Sequence, residues 1–257
     1  MKLSMVVPSY QQARYLPHAL ASLINQRGVT RDELEILVID GGSTDGSVEC
    51  IRAVEDRIDY WVSEPDRGQT HALRKGFDRA TGDILGWLCA DDTLEPDAVR
   101  QVLDQFRRTP ETRFLYGDAQ WIDESGRILR PKKEIPFNWF IWMYDHNYIP
   151  QPSAFWRRSL YEESGGLDES MNLAMDGDLW ARFAQRARPA HLRRTLSQIR
   201  VHSQQKTQRF SVDSRREQQC VRRSLGAGSD GGFQLAWRRL LAKSWRVGWK
   251  FASGCYW

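Results

Sequence analysis

Glu35-Ile36-Leu37-Val38-Ile39-Asp40-Gly41-Gly42-Ser43-Thr44-Asp45-Gly46-Ser47 begins as an apolar run and breaks into glycines, hydroxyls and carboxylates. A short apolar run closed by turn residues reads as a strand, and a helix is expected from about Ser47. The same unit recurs on both sides. Leu3 to Ser9 is a first short strand, and Tyr15 to Gln26 has helical spacing. Asp59 to Ser63 is a third strand, Gln69 to Ala80 a helix closed by Gly82, and Ile84 to Cys89 a fourth strand. Pro96 suits the first turn of a helix running to about Arg108. Strands alternating with helices of this length predict an α/β fold of βαβ units with a largely parallel sheet.

Beyond Arg108 the pattern loosens. Phe114 to Leu129 reads as two strands around a turn at Ser125-Gly126, Met175 to Ala187 as a helix, and Leu196 to His202 as a last strand. Residues 131–156 are rich in aromatics and proline without periodicity and are expected to be loops over a site. Residues 203–232 are expected to be poorly structured.

At 257 residues, 41% apolar and 27% charged, the composition is that of a soluble globular protein with a sizeable core. No run approaches the ~20 apolar residues a membrane span needs. The N-terminus lacks the apolar region and cleavage site of a signal peptide, and the four scattered cysteines show no metal-ligand spacing. These features predict a cytoplasmic protein with reduced thiols. The net charge of +4 conceals an asymmetry: residues 1–178 carry 20 Lys/Arg against 30 Asp/Glu, and residues 179–257 carry 17 against 3. Such a basic end predicts attraction to something anionic.

In open parallel sheets ligands bind beyond the carboxyl ends of the strands. Here those ends are Pro8-Ser9-Tyr10, Asp40-Gly41-Gly42-Ser43, Glu64-Pro65-Asp66 and Ala90-Asp91-Asp92. One acidic strand end is an ordinary turn or cap. Three around one crevice repel each other unless a cation or a ligand's donors sit among them. Asp91-Asp92 can hold a hard divalent ion, which often completes its shell with substrate phosphates; alternatively Asp92 only caps the following helix. Neither G-x-G-x-x-G nor G-x-x-x-x-G-K-[ST] is present, which argues against a dinucleotide-binding dehydrogenase and a P-loop nucleotidase.

Together these residues resemble glycosyltransferase family 2, the inverting enzymes of GT-A fold, which implies a Rossmann-like mixed, mostly parallel sheet flanked by helices. The resemblance rests on Val6-Val7-Pro8-Ser9-Tyr10, Val38 through Ser47, Ser63-Glu64-Pro65-Asp66-Arg67-Gly68-Gln69 and Leu88-Cys89-Ala90-Asp91-Asp92. It continues through Gly166-Leu167-Asp168-Glu169, Ala174-Met175-Asp176-Gly177-Asp178-Leu179-Trp180 and Ile199-Arg200-Val201-His202. Each piece is weak, but their joint order over residues 3–207 is specific. The resemblance implies a nucleotide pocket lined by Pro8, Ser9 and Tyr10, with Asp40 accepting from the base, Asp66 near base or ribose, and Asp91 at the ribose or donor sugar. It implies Asp92, helped by His202, as the site of a divalent metal (Mn²⁺ or Mg²⁺), and Asp176 as general base with Asp178 as the alternative. Met175 and Cys89 depart from the family pattern without removing the metal-binding carboxylate.

The expected reaction is transfer of a sugar from a nucleoside-diphosphate donor, with a lean towards UDP, to a hydroxyl of a glycan or lipid-linked acceptor in cell-envelope polysaccharide or glycolipid synthesis. Gln151, Trp142 and the neighbouring aromatics Trp139, Tyr144 and Tyr148 form either an acceptor wall or an aromatic core under a loop. The domain is expected to span 1–207 (nucleotide half 1–92, acceptor half 93–207), with a basic extension over 208–257. Within that extension Phe233 to Ala252 reads as a helix with Arg239, Lys243, Arg246 and Lys250 in one sector. It either lies on an anionic membrane at the inner face or packs on the domain. Rival readings are a sugar nucleotidyltransferase, which lacks its glycine-rich basic loop here, and a non-catalytic protein binding anionic surfaces. The latter leaves the acidic strand ends unexplained, and nucleic acid is not an expected partner.

Overall fold

The computed structural model describes residues 1–206, 211–227 and 231–255. Nine strands form one sheet: β1 (Leu3–Ser9), β2 (Leu34–Asp40), β3 (Tyr60–Ser63), β4 (Ile84–Trp87), β5 (Thr93–Leu94), β6 (Phe114–Ile122), β7 (Ile128–Lys132), β8 (Ala154–Arg157) and β9 (Ala190–Arg200). Their order is β3-β2-β1-β4-β8-β6-β9-β5, with β7 beside β6. β3, β2, β1 and β4 run parallel, β8 lies antiparallel to both β4 and β6, and β6 and β9 are parallel again. This is the mixed sheet flanked by helices that the sequence predicted.

Every residue of β1, β2 and β4 is buried, which explains their unbroken apolar runs. Odd-numbered positions of β1 (Leu3, Met5, Val7) meet α1 (Leu16–Ile24), α2 (Ser47–Arg52) and α4 (Ala98–Arg108). Val6 meets the opposite layer, α3 (Gln69–Arg79), α6 (Arg158–Glu163) and α7 (Met175–Ala184). There Trp87, Trp156 and Trp180 form an aromatic block, with ring centroids 5.2–5.5 Å apart. Gly76 of α3 lies against β1: a Cβ placed there would come 3.0 Å from Val6 Cγ2 and closer still to Cγ1. Gly76→Val is therefore expected to destabilise the fold by about 1–3 kcal/mol through overpacking. Urea denaturation showing an unchanged midpoint would count against this close helix–sheet contact.

Two expectations of irregular structure are corrected. Residues 131–156 contain α5 (Trp139–Tyr144) and the start of β8. β8 was hidden because Ala154, Phe155 and Trp156 are all buried, so the strand shows no alternation. Within 203–232, α8 (Ser211–Arg222) and the helical turn Arg223–Ala227 are formed; positions 207–210 and 228–230 lie outside the described residues. The α8 sequence is nearly all polar, and its order comes from tertiary contacts such as Val221 against the Ile135, Ile141 and Trp142 cluster.

The final helix, α9 (Gly232–Ala252), matches the expected one, but its basic sector is divided. Arg246 and Lys250, with side chains only 16% and 12% exposed, pair with Asp145 and Glu134. Arg239 and Lys243 remain on the surface. Among the described residues no helix is long and apolar enough to cross a membrane.

Candidate active site

Parallel register brings the strand ends together. Ser9 stands opposite Asp40, Asp40 opposite Ser63, and Val6 opposite Trp87 just before the Cys89–Asp92 turn. At Gly41 the backbone comes close to two other expected pocket residues. A Cβ there would meet Asp66 Oδ2 at 2.7 Å and Tyr10 Cδ2 at 3.2 Å. Tyr10 is 61% exposed, so its ring offers a free face beside this glycine. Ser9 is buried, and its hydroxyl has no hydrogen-bond partner among the described residues. Pro8, Ser9, Tyr10 and Asp66 are thus gathered at one edge.

Asp40 is tied into its own turn. Its carboxylate accepts from the amides of Gly42 (3.1 Å) and Ser43 (2.8 Å), and from the hydroxyls of Ser43 (2.6 Å) and Ser63 (2.7 Å). Three of these bonds fall on Oδ2 and one on Oδ1, which keeps acceptor capacity. Asp40 is fully buried and shapes the Gly41–Ser43 turn from beneath.

The second half of the site is the turn after β4. Cys89, Asp91 and Asp92 are the group whose ligand atoms lie within 4.8 Å of one another among the described residues. Asp92 is buried, and Oδ1 accepts the backbone N–H of Arg200 at 2.9 Å. Burial, reinforced by the Asp91 charge, pushes the Asp92 carboxyl well above the usual carboxylate range. The Arg200 amide and guanidinium oppose that shift. His202 Nε2 lies 3.0 Å from Asp91 Oδ2, and its ring sits 4.8 Å from that of Tyr15. Burial and the two carboxylates likewise hold the Cys89 thiol well above its usual range. Two carboxylates and an imidazole, crowded and short of donors, fit a hard divalent cation.

Asp176 occupies the first turn of α7, where the helix dipole favours an anion. It is half-buried, and Asn147 Nδ2 donates to its Oδ2 at 3.1 Å. Burial raises its carboxyl above the usual range against the backbone and Asn147 hydrogen bonds that lower it. A chain of contacts joins it to the metal-competent turn. Thr70 Oγ1 lies 2.8 Å from Met175 Sδ, and the adjacent Gln69 reaches Cys89 Sγ at 3.3 Å. On the other side Gln151 lies 3.3 Å from the same sulfur and donates to the Trp87 carbonyl at 2.9 Å.

Two expected residues are corrected. Asp178 pairs with Arg182, which also donates to the carbonyls of Ser164 and Gly166, so it braces the 164–166 turn and is not a free base. Trp142 is only 2% exposed and stacks on Trp139 at 5.6 Å, so it belongs to the core and not to an accessible acceptor wall.

Four residues at the site escaped the sequence reading. Arg200, buried in β9, donates to the carbonyls of Asp91, Asp123 and Glu124 at 2.9–3.0 Å and fixes the acidic turn. Asn147 holds Asp176, as above. Lys206 donates to the Asn172 carbonyl at 2.5 Å and lies 3.4 Å from Gln69 Oε1, with Glu217 and Asp66 among its charged neighbours. Glu217 of α8 accepts the three consecutive amides of Asn172, Leu173 and Ala174 at 2.8–3.2 Å, immediately before α7. Of these only Arg200 carried a signal, two residues before His202 on the same strand. Glu217→Ala is expected to cost about 1–2 kcal/mol, as loss of a helix-capping side chain does. Chemical denaturation at unchanged stability would show that water replaces it freely.

Comparison with known proteins follows the same outline. The family model described as "Glycosyl transferase family 2" matches residues 4–165. An uncharacterized glycosyltransferase of Mycobacterium tuberculosis is 29% identical over 197 residues, covering 76% of this chain and 74% of that protein. Chondroitin synthase of Escherichia coli is 28% identical over 193 residues, 71% of this chain but 26% of the synthase. Among solved structures, a fragment of S. aureus TarS in complex with UDP superposes with a TM-score of 0.67 at 17% identity, covering 86% of this chain and 64% of the fragment. A mannosyltransferase from Pyrobaculum calidifontis in complex with GDP-Man and Mn²⁺ gives 0.66 at 18% identity, covering 95% and 73%. At such identities these two establish the GT-A fold alone. The chain spans only 37% of a longer TarS structure, so it corresponds to one part of such proteins.

Proposed function

The chain belongs to glycosyltransferase family 2, and from that membership we propose that it is an inverting, metal-dependent transferase taking a sugar from a UDP-linked donor to an acceptor hydroxyl. The observation that carries this reading is the meeting of two strand-end groups: the Ser9–Tyr10–Gly41–Asp66 edge, shaped for a nucleoside, and the Asp91–Asp92–His202 turn. The structural neighbours solved with UDP, UDP-GlcNAc and GDP-Man with Mn²⁺ support the donor class and the metal.

Asp92 and Asp91, with His202, would hold the metal. When bound, a divalent ion there supplies Lewis-acid stabilisation of the departing diphosphate. The chain's own residues do the rest. Tyr10 and the Gly41 backbone receive the nucleoside, and Asp66 stands at its sugar side. Lys206 contributes positive charge at the same rim. Asp176, held by Asn147 at a helix N-terminus, takes the proton from the acceptor hydroxyl as it attacks the anomeric carbon. Its raised pKa suits a base, because proton transfer is most effective when the base is nearly matched to the working pH. Gln151 lies between the turn and the Asn147 segment, where it can orient the acceptor. The acceptor is a glycan or lipid-linked hydroxyl of envelope or extracellular polysaccharide or glycolipid synthesis.

A panel of nucleotide sugars with Mn²⁺, read as release of free nucleotide, tests the proposal. UDP-sugars are expected to be hydrolysed slowly without acceptor, and chelation of the metal to stop release. Absence of turnover across the panel, with Mn²⁺ or Mg²⁺, would count against a transferase. The nucleotidyltransferase alternative predicts instead release of pyrophosphate from a nucleoside triphosphate and a sugar phosphate.

A further inference from the structure

Positive charge is concentrated where α8 meets α9. A cleft of about 490 Å³ opens there, lined by Arg215 and Arg222 from α8 and by Arg239, Leu240 and Lys243 from α9, above Asp145. The Asp145 carboxylate pairs with Arg246 and lies against His146, and it offsets only part of this wall's charge. Arg222 donates to the Asp145 carbonyl at 3.2 Å. Burial, and then the facing Arg239 charge, pull the Arg222 guanidinium below its usual range. Like charges therefore face one another across a partly dry cleft. Such an arrangement is relieved when an anion with several acceptor oxygens enters, and guanidinium groups bind phosphate oxygens in pairs.

The outer side of α9 is of a different kind. Phe233, Trp237, Leu240, Leu241 and Val247 recur at helical spacing along one sector, and each is between 41% and 84% exposed. The helix contains no Asp or Glu over its 21 residues. An exposed apolar strip of this size marks an interaction surface. Leu240 belongs to both features, so the cationic cleft and the apolar strip share an edge. A free phosphate would use only the first, and a purely apolar partner only the second. An anionic bilayer presents both, with phosphates at the surface and acyl chains just beneath.

We propose that this end of the molecule docks on an anionic membrane, with the cleft between α8 and α9 holding a phosphate-bearing lipid headgroup while the outward apolar face of α9 lies at the headgroup–acyl boundary. The orientation differs from the one the sequence suggested. Half of the expected basic sector, Arg246 and Lys250, anchors the helix to the protein, and Arg239 and Lys243 meet the lipid phosphate. The inference stands on the extension alone and does not depend on the metal site.

Vesicle flotation of the full chain tests it, comparing phosphatidylcholine vesicles with vesicles containing one third phosphatidylglycerol. Wild-type protein is expected to float with the anionic vesicles and to be released as salt is raised. Arg239→Gln with Lys243→Gln is expected to lower the partition by roughly 30-fold, the effect of removing two basic side chains near an anionic surface. Trp237→Ser with Leu240→Ser is expected to abolish flotation although every cation is kept. Donor turnover in solution should match wild type in both variants, since neither pair touches the strand-end site. Equal flotation with neutral and anionic vesicles, or full flotation of the Arg239/Lys243 variant, overturns the headgroup site. Binding of inorganic phosphate without any binding of vesicles would assign the cleft to a free anion and overturn the membrane. A dimer in light scattering that Trp237→Ser with Leu240→Ser converts to monomer, again without vesicle binding, would assign the apolar face to a second copy of the chain.

Discussion

Asp92→Asn is expected to leave the protein folded and reduce metal-stimulated sugar transfer on the order of 10²–10³-fold, comparable to loss of one preorganised electrostatic contact to developing charge. Asparagine keeps an oxygen where Asp92 Oδ1 accepts the Arg200 amide at 2.9 Å, so the turn after β4 loses charge and not shape. Removing that charge also relieves the unfavourable burial of a carboxylate beside Asp91, so stability should hold or rise slightly. Activity lost while stability is kept is what distinguishes a metal ligand from a structural cap. If Asp92 only capped the following segment, the asparagine variant would remain active. The measurement is initial-rate transfer against Mn²⁺ concentration, with thermal denaturation as the control for folding.

Asp176→Asn is expected to lower kcat by about 10²–10⁴-fold while donor affinity stays within a few-fold of wild type. Asn147 Nδ2 would then face an amide in place of a carboxylate, a local and tolerable change. The wild-type pH profile should carry the signature of this group. Because burial raises its pKa, kcat should fall as pH drops through a value above the ordinary carboxylate range of about 4, as the base becomes protonated. In the asparagine variant that acidic limb should vanish from the residual rate. Full turnover by the variant would move the base elsewhere. Asp178 is no substitute, since its carboxylate is committed to Arg182.

The parts of the molecule legible in its sequence share one property: their pattern is local. β1, β2 and β4 are unbroken apolar runs because helices cover both faces, and the glycines and acids that end them stand where the ligand edge lies. Strand register then carries Ser9, Asp40 and Ser63 to one line without further information. What stayed hidden depends on partners distant in sequence. β8 is a strand because β4 and β6 offer it two open edges, and α8 is ordered by contacts its own polar sequence does not announce. Glu217 reaches amides 43–45 residues away, and Arg200 fixes a turn 109 residues before it. Aromatic-rich segments were the least legible. Trp142 is core, and Tyr10, a lone aromatic in the first strand's turn, is exposed. A side chain's chemistry does not reveal whether it is covered. Asp40 shows the same limit for carboxylates, since nothing in its motif tells that four donors of its own chain bond to it.

Calorimetric titration of UDP into the protein with and without Mn²⁺ tests the site most directly, because a divalent ion held by Asp92 would couple the acidic turn to nucleotide binding. The account predicts that Mn²⁺ tightens UDP binding by at least about tenfold in the wild type, equivalent to about 1.4 kcal/mol, and has no such effect in Asp92→Asn. Equal UDP affinity with and without the metal in the wild-type protein would contradict it.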